Sequence, residues 1–414
     1  MFFCLSLRIS KTKNRSQMYI KKEIVDNIFY VGVNDRHKHL FEGLWELPAG
    51  VSYNSYLIVD DKVALIDTVD ACYTELYVKK IEAILGDRTI DYVIINHMEP
   101  DHSASIRAIK QKYPNIKIVG NSKTFGMLEG YFGITDNLLE VKDNESLSLG
   151  SRTLRFYLTP MVHWIETMMT YEEKNKVLFS GDAFGCFGSL DGGVTDNQIN
   201  TEKYWREMVR YYSNIVGKYG SPVQKALAKL SPLEIGTICS THGPVWQKYV
   251  QKTIGIYNEL SLYRAQKGVV IVYGSMYGNT EQMAETIADS LVANGIQNVV
   301  MHNASTTSPS VILADIFTYQ GLIIGSPTYT NELFPPIEAL LSKIKGRDIK
   351  GRYFGYFGSF SWAGVAIKKL ACFAEETGFE VVCEGVEEKH ALKAAKFQEC
   401  VNLGAKMAEK LNNL

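Results

Sequence analysis

Short apolar runs, each followed directly by a polar loop, recur along the whole chain and restrict it to an α/β fold. In the first part of the chain such runs occupy residues 54–59, 63–67, 116–119, 154–158, 177–180 and 235–239. Helical periodicity lies between some of them, as in residues 73–85 and 103–112. Strands that alternate with helices predict an α/β sandwich. Because 414 residues are too many for one compact core, we expect two or three domains.

A dense group of metal-binding side chains follows the apolar run at residues 92–95. His97, Glu99, Asp101 and His102 fall within six positions. Ligands on one face of a helix would be spaced by three or four residues, whereas His, Glu and Asp alternate here and His102 follows at once. We therefore expect a metal-binding loop at the end of a strand and not a helix face.

Three further apolar runs also end at a side chain that can bind a metal. His163, Asp182 and His242 each lie just past such a run. A single histidine after a strand is more often an ordinary hydrogen-bonded residue, but four strand ends of this kind favour a metal centre. Seven ligands are more than one ion needs, so we predict two groups: His97, Glu99 and His163; and Asp101, His102 and His242.

Asp182 is predicted to bridge the two groups, since one carboxylate offers two oxygens to a metal pair. Nitrogen and oxygen ligands without sulfur suit iron or manganese and also tolerate zinc. The ligand types alone do not choose between these metals.

The second half of the chain starts a fresh α/β pattern. A fully apolar run at residues 269–273 leads into the loop 274–280 and then into an amphipathic helix predicted for residues 281–293. A loop rich in glycine and hydroxyl groups between a strand and a helix is typical of a phosphate site. The Gly-Lys-Ser/Thr ending of a nucleotide triphosphate loop is missing. Two more strand-to-loop transitions lead into residues 326–331 and 358–364.

These motifs resemble a known family. The first half resembles the metallo-β-lactamase superfamily, and Glu99, in the place of that superfamily's second histidine, makes the motif similar to that of the flavodiiron proteins. The second half resembles flavodoxins. The implied fold is an N-terminal αββα sandwich, residues 18–264, followed by a doubly wound parallel sheet with a flavodoxin-like topology, residues 265–414.

The resemblance implies FMN and two iron ions joined by an oxo or hydroxo bridge. It assigns the seven metal ligands named above and no other catalytic residue. The residues that it implies for FMN binding are Ser275, Met276, Tyr277, Gly278, Asn279, Thr280, Pro327, Thr328, Tyr329, Thr330, Asn331, Ser359, Phe360, Ser361, Trp362 and Gly364.

The implied activity is reduction of dioxygen to water, of nitric oxide to nitrous oxide, or of both. Electrons would come from a separate donor protein, rubredoxin-like or flavin reductase-like, through FMN. The resemblance also implies a head-to-tail homodimer or a dimer of dimers. Two alternatives are a dizinc hydrolase with an accessory flavodoxin domain and an electron carrier with a vestigial metal site.

Composition sets the remaining expectations. The net charge of −1 favours neither nucleic acid nor a membrane as partner. Seven scattered cysteines without a C-x-x-C pair favour a reducing compartment, which we take to be the cytoplasm. Residues 1–17 are basic and acid-poor; we expect an upstream start or a disordered extension, or alternatively an organelle presequence. The sequence indicates no role for His37 or His39.

Overall fold

The computed structural model of the protein describes residues 19–414, so the predicted extension at residues 1–17 lies outside the described residues. Contacts divide the chain into two compact units. The first contains the described residues up to Lys38, together with Pro48–Tyr204 and Lys229–Val250. The second contains His39–Leu47, Trp205–Ala228 and Gln251–Leu414. The domain boundary that we place at residue 264 stays a prediction.

The strands before residue 264 are mostly short. In chain order they are β1 (Lys22–Val25), β2 (Ile28–Tyr30), β3 (Val33–Asp35), β4 (Leu40–Phe41), β5 (Trp45–Glu46), β6 (Val51–Tyr53), β7 (Tyr56–Val59), β8 (Val63–Ile66), β9 (Tyr92–Ile94), β10 (Lys117–Gly120), β11 (Leu138–Glu140), β12 (Ser146–Ser148), β13 (Thr153–Leu158), β14 (Met168–Glu172), β15 (Val177–Gly181) and β16 (Thr237–Ser240).

The helices of this part of the chain are α1 (Thr74–Leu85), α2 (Pro100–Ser103), α3 (Ile106–Lys112), α4 (Ser122–Phe132), α5 (Glu202–Tyr211), α6 (Gly220–Leu230) and α7 (Val250–Ser261). Short 3₁₀ turns occur at Ala71–Tyr73 and Gly217–Tyr219, and a π-helical turn at Tyr212–Val216 continues α5.

Two sheets form the αββα sandwich of the first unit. One has the strand order β1-β2-β7-β8-β9-β10-β11, and the other has the order β12-β13-β14-β15-β16. The predicted hairpin around residues 60–62 is present as the antiparallel pair β7–β8. The strands β8 to β11 pair in parallel, as do β15 and β16. Parallel neighbours bring their carboxyl ends to one edge, where a site can form.

The second unit contains a doubly wound parallel sheet. Its strands are β17 (Gln266–Tyr273), β18 (Val299–Asn303), β19 (Tyr319–Tyr329), β20 (Glu332–Leu333), β21 (Tyr353–Phe360), β22 (Glu380–Val381) and β23 (Val386–Lys389). Its helices are α8 (Asn279–Ala293), α9 (Pro309–Thr318), α10 (Pro335–Gly346), α11 (Ala366–Thr377) and α12 (Ala394–Asn412).

The central order is β18-β17-β19-β21-β22, with β23 also parallel to β21. This is the flavodoxin-like order 2-1-3-4-5. On one face, a core that includes Val269, Ile271 and Ile323 packs with Leu291 of α8 and Leu403 of α12. The three predicted cofactor loops follow β17, β19 and β21, so they meet at one edge of the sheet.

Two sequence expectations differ from the structure. Asp101 and His102 do not lie in a plain loop but in the one-turn helix α2, which Pro100 starts at its first position. Proline fixes φ near the helical value and needs no hydrogen-bonded N–H there, and four residues are too few to show a period. The helix α8 begins at Asn279, two residues before the predicted start. Among the described residues, no helix is both long and apolar enough to cross a membrane.

Candidate active site

The seven predicted metal ligands are all buried at the strand ends of the first unit. His97 and Glu99 follow β9, His163 follows β13, and Asp182 and His242 follow β15 and β16, respectively. Asp101 and His102 lie in α2. None of the seven is more than 8% exposed. The structure therefore collects these side chains, which span 146 positions of the sequence, in one place.

The first group contains His97, Glu99, His163 and Asp182. The Nε2 atoms of His97 and His163 both lie 3.3 Å from Oε2 of Glu99. The same two nitrogens lie 3.5 and 3.0 Å from Oδ2 of Asp182. Two imidazole nitrogens and two carboxylate oxygens thus face one another at distances typical of ligands around a shared cation.

The second group contains Asp101, His102 and His242. The Nε2 atom of His102 lies 3.3 Å from Oδ1 of Asp101, and Nε2 of His242 lies 3.4 Å from Oδ2 of the same carboxylate. Nε2 of His102 is also 2.8 Å from Oδ1 of Asp182. The two oxygens of Asp182 therefore face different groups, which is the geometry of a bridging carboxylate.

The donor set fits a pair of metal ions. Within the described part of the chain, neither carboxylate oxygen of Asp101 accepts a hydrogen bond, although both are buried. A buried carboxylate without a donor is costly in free energy, and a cation bound between the facing nitrogens and oxygens would compensate for it. The role of the seven residues as iron ligands stays a prediction.

The electrostatics of the groups also favour a cation. Burial opposes the protonation of His102, but the carboxylates of Asp101 and Asp182 outweigh it and raise the pKa of His102 to about 9. Burial likewise opposes the protonation of His163, whereas hydrogen bonds to Asp182 and Glu99 raise its pKa to about 9. Burial opposes the ionisation of Asp182, yet the imidazoles of His102 and His97 hold its pKa well below the ordinary value. Positive charge is thus stabilised where a metal would displace protons.

Three buried residues that sequence reasoning missed orient the ligands. Nδ1 of His97 lies 2.7 Å from Oε1 of Glu166, an oxygen that also accepts the Met98 N–H at 2.9 Å. The carboxylate of Asp67 accepts the backbone N–H groups of Asn96 and His97 at 2.8 and 3.3 Å. The Glu166 contact fixes the tautomer and direction of the His97 imidazole, whereas Asp67 holds the backbone that carries it.

Ser52, the third residue that sequence reasoning missed, orients His242 in the second metal group. Nδ1 of His242 lies 2.7 Å from the carbonyl oxygen of Ser52, and the Ser52 hydroxyl accepts the Gly243 N–H at 2.8 Å. The Thr241 hydroxyl donates to Oδ1 of Asp182. The position of Glu166, three residues after His163, is the one local signal that could have pointed to an orienting carboxylate.

A second site lies at the strand ends of the parallel sheet. A cavity of about 560 Å³ is lined by residues of the three predicted loops, among them Ala363, and by His390. Of the sixteen predicted FMN contacts, Gly278 and Gly364 are the two that do not line it. His390 was missed because it follows β23, which is not one of the three loop-bearing strands. His37 and His39 are both exposed.

The lining of this cavity suits a phosphate and an aromatic ring. Helix α8 starts in the first loop, and its N-cap residue is Gly278, which has no side chain to bond the first N–H groups; these can therefore bind an anion. Thr280 and Ser359 exchange a hydrogen bond at 2.9 Å, which ties the first loop to the third. Trp362 is 87% exposed and Tyr277 is 91% exposed at the rim. FMN, with one phosphate and one flat ring, fits these groups.

Known proteins share both halves of this arrangement. Residues 51–243 match the family model described as ODP family beta lactamase, and residues 271–404 match the flavodoxin model. A nitric oxide reductase from Moorella thermoacetica is 31% identical over 393 residues, which are 94% of this chain and 98% of that protein. A rubredoxin-oxygen oxidoreductase from Megalodesulfovibrio gigas is 32% identical over 394 residues, with shares of 94% and 98%.

A solved structure supplies the deciding likeness. The flavodiiron protein from Giardia intestinalis matches with a TM-score of 0.92 and 27% identity, over 95% of this chain and 97% of that one. The chain belongs to the flavodiiron protein family. The predicted fold class is thereby confirmed, and the family explains why two such different sites occur in one chain.

Proposed function

We propose that this flavodiiron protein takes electrons through FMN to a diiron site and reduces dioxygen to water, nitric oxide to nitrous oxide, or both. The observation that carries the proposal is Asp182, whose two carboxylate oxygens face two separate groups of nitrogen and oxygen donors. The cavity of the parallel sheet supports it, since a flavin carries electrons and hydrolysis transfers none. The names of the relatives support dioxygen and nitric oxide as substrates.

The residues of the chain hold and shield the cofactors. Three carboxylates and four neutral imidazoles give the metal groups a charge of about −3, which suits two divalent ions and leaves room for oxidation. Burial of all seven keeps bulk water away from the centre. When bound, FMN accepts electrons from a donor and the two irons deliver them to a diatomic molecule. The protein supplies orientation and charge, and no protein nucleophile is required.

The proposed partners rest on the same family relationship. We propose a rubredoxin-like or flavin reductase-like electron donor, in keeping with the name of the Megalodesulfovibrio gigas relative. We also propose a head-to-tail homodimer, or a dimer of such dimers, and a cytoplasmic location.

The first test is anaerobic reduction of protein loaded with FMN and iron, followed by separate rapid mixing with dioxygen and with nitric oxide. We expect fast reoxidation of the flavin by at least one of the gases, with water or nitrous oxide as product. Reaction with neither gas, in a sample that carries two irons per chain, would overturn the proposal and favour the dizinc hydrolase.

A variant of the bridging residue sharpens this test. Asp182→Asn keeps the size of the side chain but removes its charge, so we expect loss of iron and of gas reduction with FMN content unchanged. Asp196→Asn is the matched control, because the Asp196 carboxylate is also buried in the first unit but accepts the N–H groups of Gln247, Lys248 and Tyr249. It should lower stability and leave iron at two per chain.

A further inference from the structure

His390 lines the cavity of the parallel sheet from a strand that carries none of the three predicted cofactor loops. It is the first residue after β23, and it shares the cavity lining with Phe360, Ser361 and Trp362 of the third loop. The parallel pairing of β21 and β23, in which Phe360 lies opposite Lys389, brings it there. The backbone N–H of His390 also donates to the Phe360 carbonyl oxygen at 2.8 Å. A fourth strand therefore contributes to this site.

The backbone of His390 is held in a conformation that few residues adopt. Its φ is 68°, in the left-handed region, where a residue with a Cβ is strained. The turn around it is fixed by Glu388, which is 5% exposed. The Glu388 carboxylate accepts the N–H groups of Lys389 and Lys393 at 2.8 and 3.1 Å and pairs with Nζ of Lys393 at 2.7 Å. Strain of this kind occurs most often at functional sites, and here it places an ionisable residue at the cofactor cavity.

Among the described residues that line the cavity, His390 is the one that can become a cation. Within residues 19–414, no lysine, arginine, aspartate or glutamate lines it. The carboxylate of Glu387 lies beside Gly364 of the third loop, but Glu387 is not part of the lining. An imidazole has at least one N–H group to donate, and its protonated form has two together with a positive charge. His390 can therefore interact with a negative charge on a ligand in the cavity.

The order of the strands favours contact of His390 with the ring of a flavin over contact with its phosphate. The predicted phosphate loop follows β17, and β19 and β21 lie between β17 and β23. Neighbouring strands are about 4.8 Å apart, so β23 lies about 14 Å from β17. The third loop, which His390 adjoins, carries the exposed indole of Trp362, a suitable surface for a flat aromatic ring.

Reduction changes the charge of the flavin ring and not that of the phosphate. Two electrons from the donor protein and one proton, taken up from water at N5, leave the ring with one negative charge. We propose that the imidazole of His390 contacts the ring of bound FMN and stabilises this negative charge, which makes the flavin easier to reduce. A charge or hydrogen bond at the ring nitrogens is a general way to tune a flavin. The inference rests on the proposed function, since it requires bound FMN that is reduced.

The test compares oxidised and reduced FMN in the full, iron-loaded chain. His390→Asn removes the imidazole, and asparagine tolerates a left-handed backbone. We expect oxidised FMN to bind with native affinity and reduced FMN to bind about tenfold more weakly, through loss of one hydrogen bond to a charged group. That tenfold difference lowers the two-electron midpoint potential of the flavin by about 30 mV. The potential is read anaerobically from flavin absorbance against a dye of known potential, and the affinity of oxidised FMN from quenching of its fluorescence.

Lys389→Gln is the matched control. It removes a positive charge from the neighbouring residue, which is also exposed but does not line the cavity, and it should leave the potential unchanged. His390→Arg keeps a cation with N–H groups and should hold the potential at or above the native value.

A native potential in His390→Asn would falsify the proposed contact. Equal weakening of oxidised and reduced FMN in that variant would also overturn it, because His390 would then act on the phosphate or on the fold of the loop. Failure of the loaded native protein to reduce either gas would instead refute the proposed function.

Discussion

At the scale of single residues, the sequence predicted which side chains meet in the metal groups but not what holds them. The ligands could be found because each follows an apolar run and because their residue types are unusual together. Glu166 and Ser52 could not be found in this way, because glutamate and serine are common residues. Ser52 also lies 190 positions from His242, the histidine that its carbonyl oxygen contacts. Only the folded chain shows that Oε1 of Glu166 lies 2.7 Å from Nδ1 of His97.

The contact between Glu166 and His97 can be tested by substitution. In Glu166→Gln an amide replaces the carboxylate, so the imidazole of His97 loses a charged acceptor that fixes its orientation. We expect the affinity for iron to fall about 10-fold to 100-fold, with unchanged FMN content, in an anaerobic titration of metal-free protein with ferrous iron. Glu140→Gln, an exposed change in the same unit, should bind iron like the native protein. Equal iron affinity in the two variants would show that the His97–Glu166 contact does not support the site.

At the scale of elements, long apolar strands were predictable and short helices were not. The run at residues 269–273 predicts most of β17, because a strand buried on both faces leaves a continuous apolar signal. The one-turn helix α2 is too short to leave a periodic signal in the sequence. The start of α8 was placed two residues late, since Asn279 and Thr280 have low intrinsic helix propensity, and the loop turns into the helix through Gly278, which has φ of 89°.

The glycine at the start of α8 offers a test of the phosphate loop. A Cβ at Gly278 would meet no atom within 4 Å, so Gly278→Ala adds only the strain of a left-handed backbone, about 1–2 kcal/mol. Relief of that strain would shift the loop, and we expect FMN to bind about tenfold more weakly. Gly295→Ala is a closely matched control near the other end of the helix, with φ of 85° and equally open space. In a titration of flavin-free protein with FMN, Gly295→Ala should bind FMN with native affinity, although both variants lose stability.

At the scale of the whole molecule, the two sites are built from different compact units of the chain, so each cofactor can be removed alone. Asp182→Asn is expected to lack iron. Asn279→Asp is expected to lack FMN, because a negative side chain of the same size at the start of α8 suits the helix dipole but repels a phosphate. The sequence predicted this organisation through two separate motif sets. It could not predict assembly, because nothing in the spacing of motifs reports how two chains pair.

Mixing these two variants tests the proposed head-to-tail homodimer. If FMN of one chain serves the metals of the other, a mixed dimer of Asp182→Asn and Asn279→Asp contains one complete pair, namely the flavin of the first and the iron of the second. Random exchange of subunits at equal amounts would then restore about one quarter of the native gas reduction per chain. If each flavin serves the metals of its own chain, the mixture stays as inactive as its components.

The measurement is steady-state gas consumption before and after subunit exchange, at several protein concentrations. Activity that is recovered within a dimer does not change on dilution as long as the dimer persists. Activity that comes from electron exchange between colliding molecules decreases on dilution. A mixture that stays inactive after exchange has been verified with tagged subunits would rule out the head-to-tail arrangement.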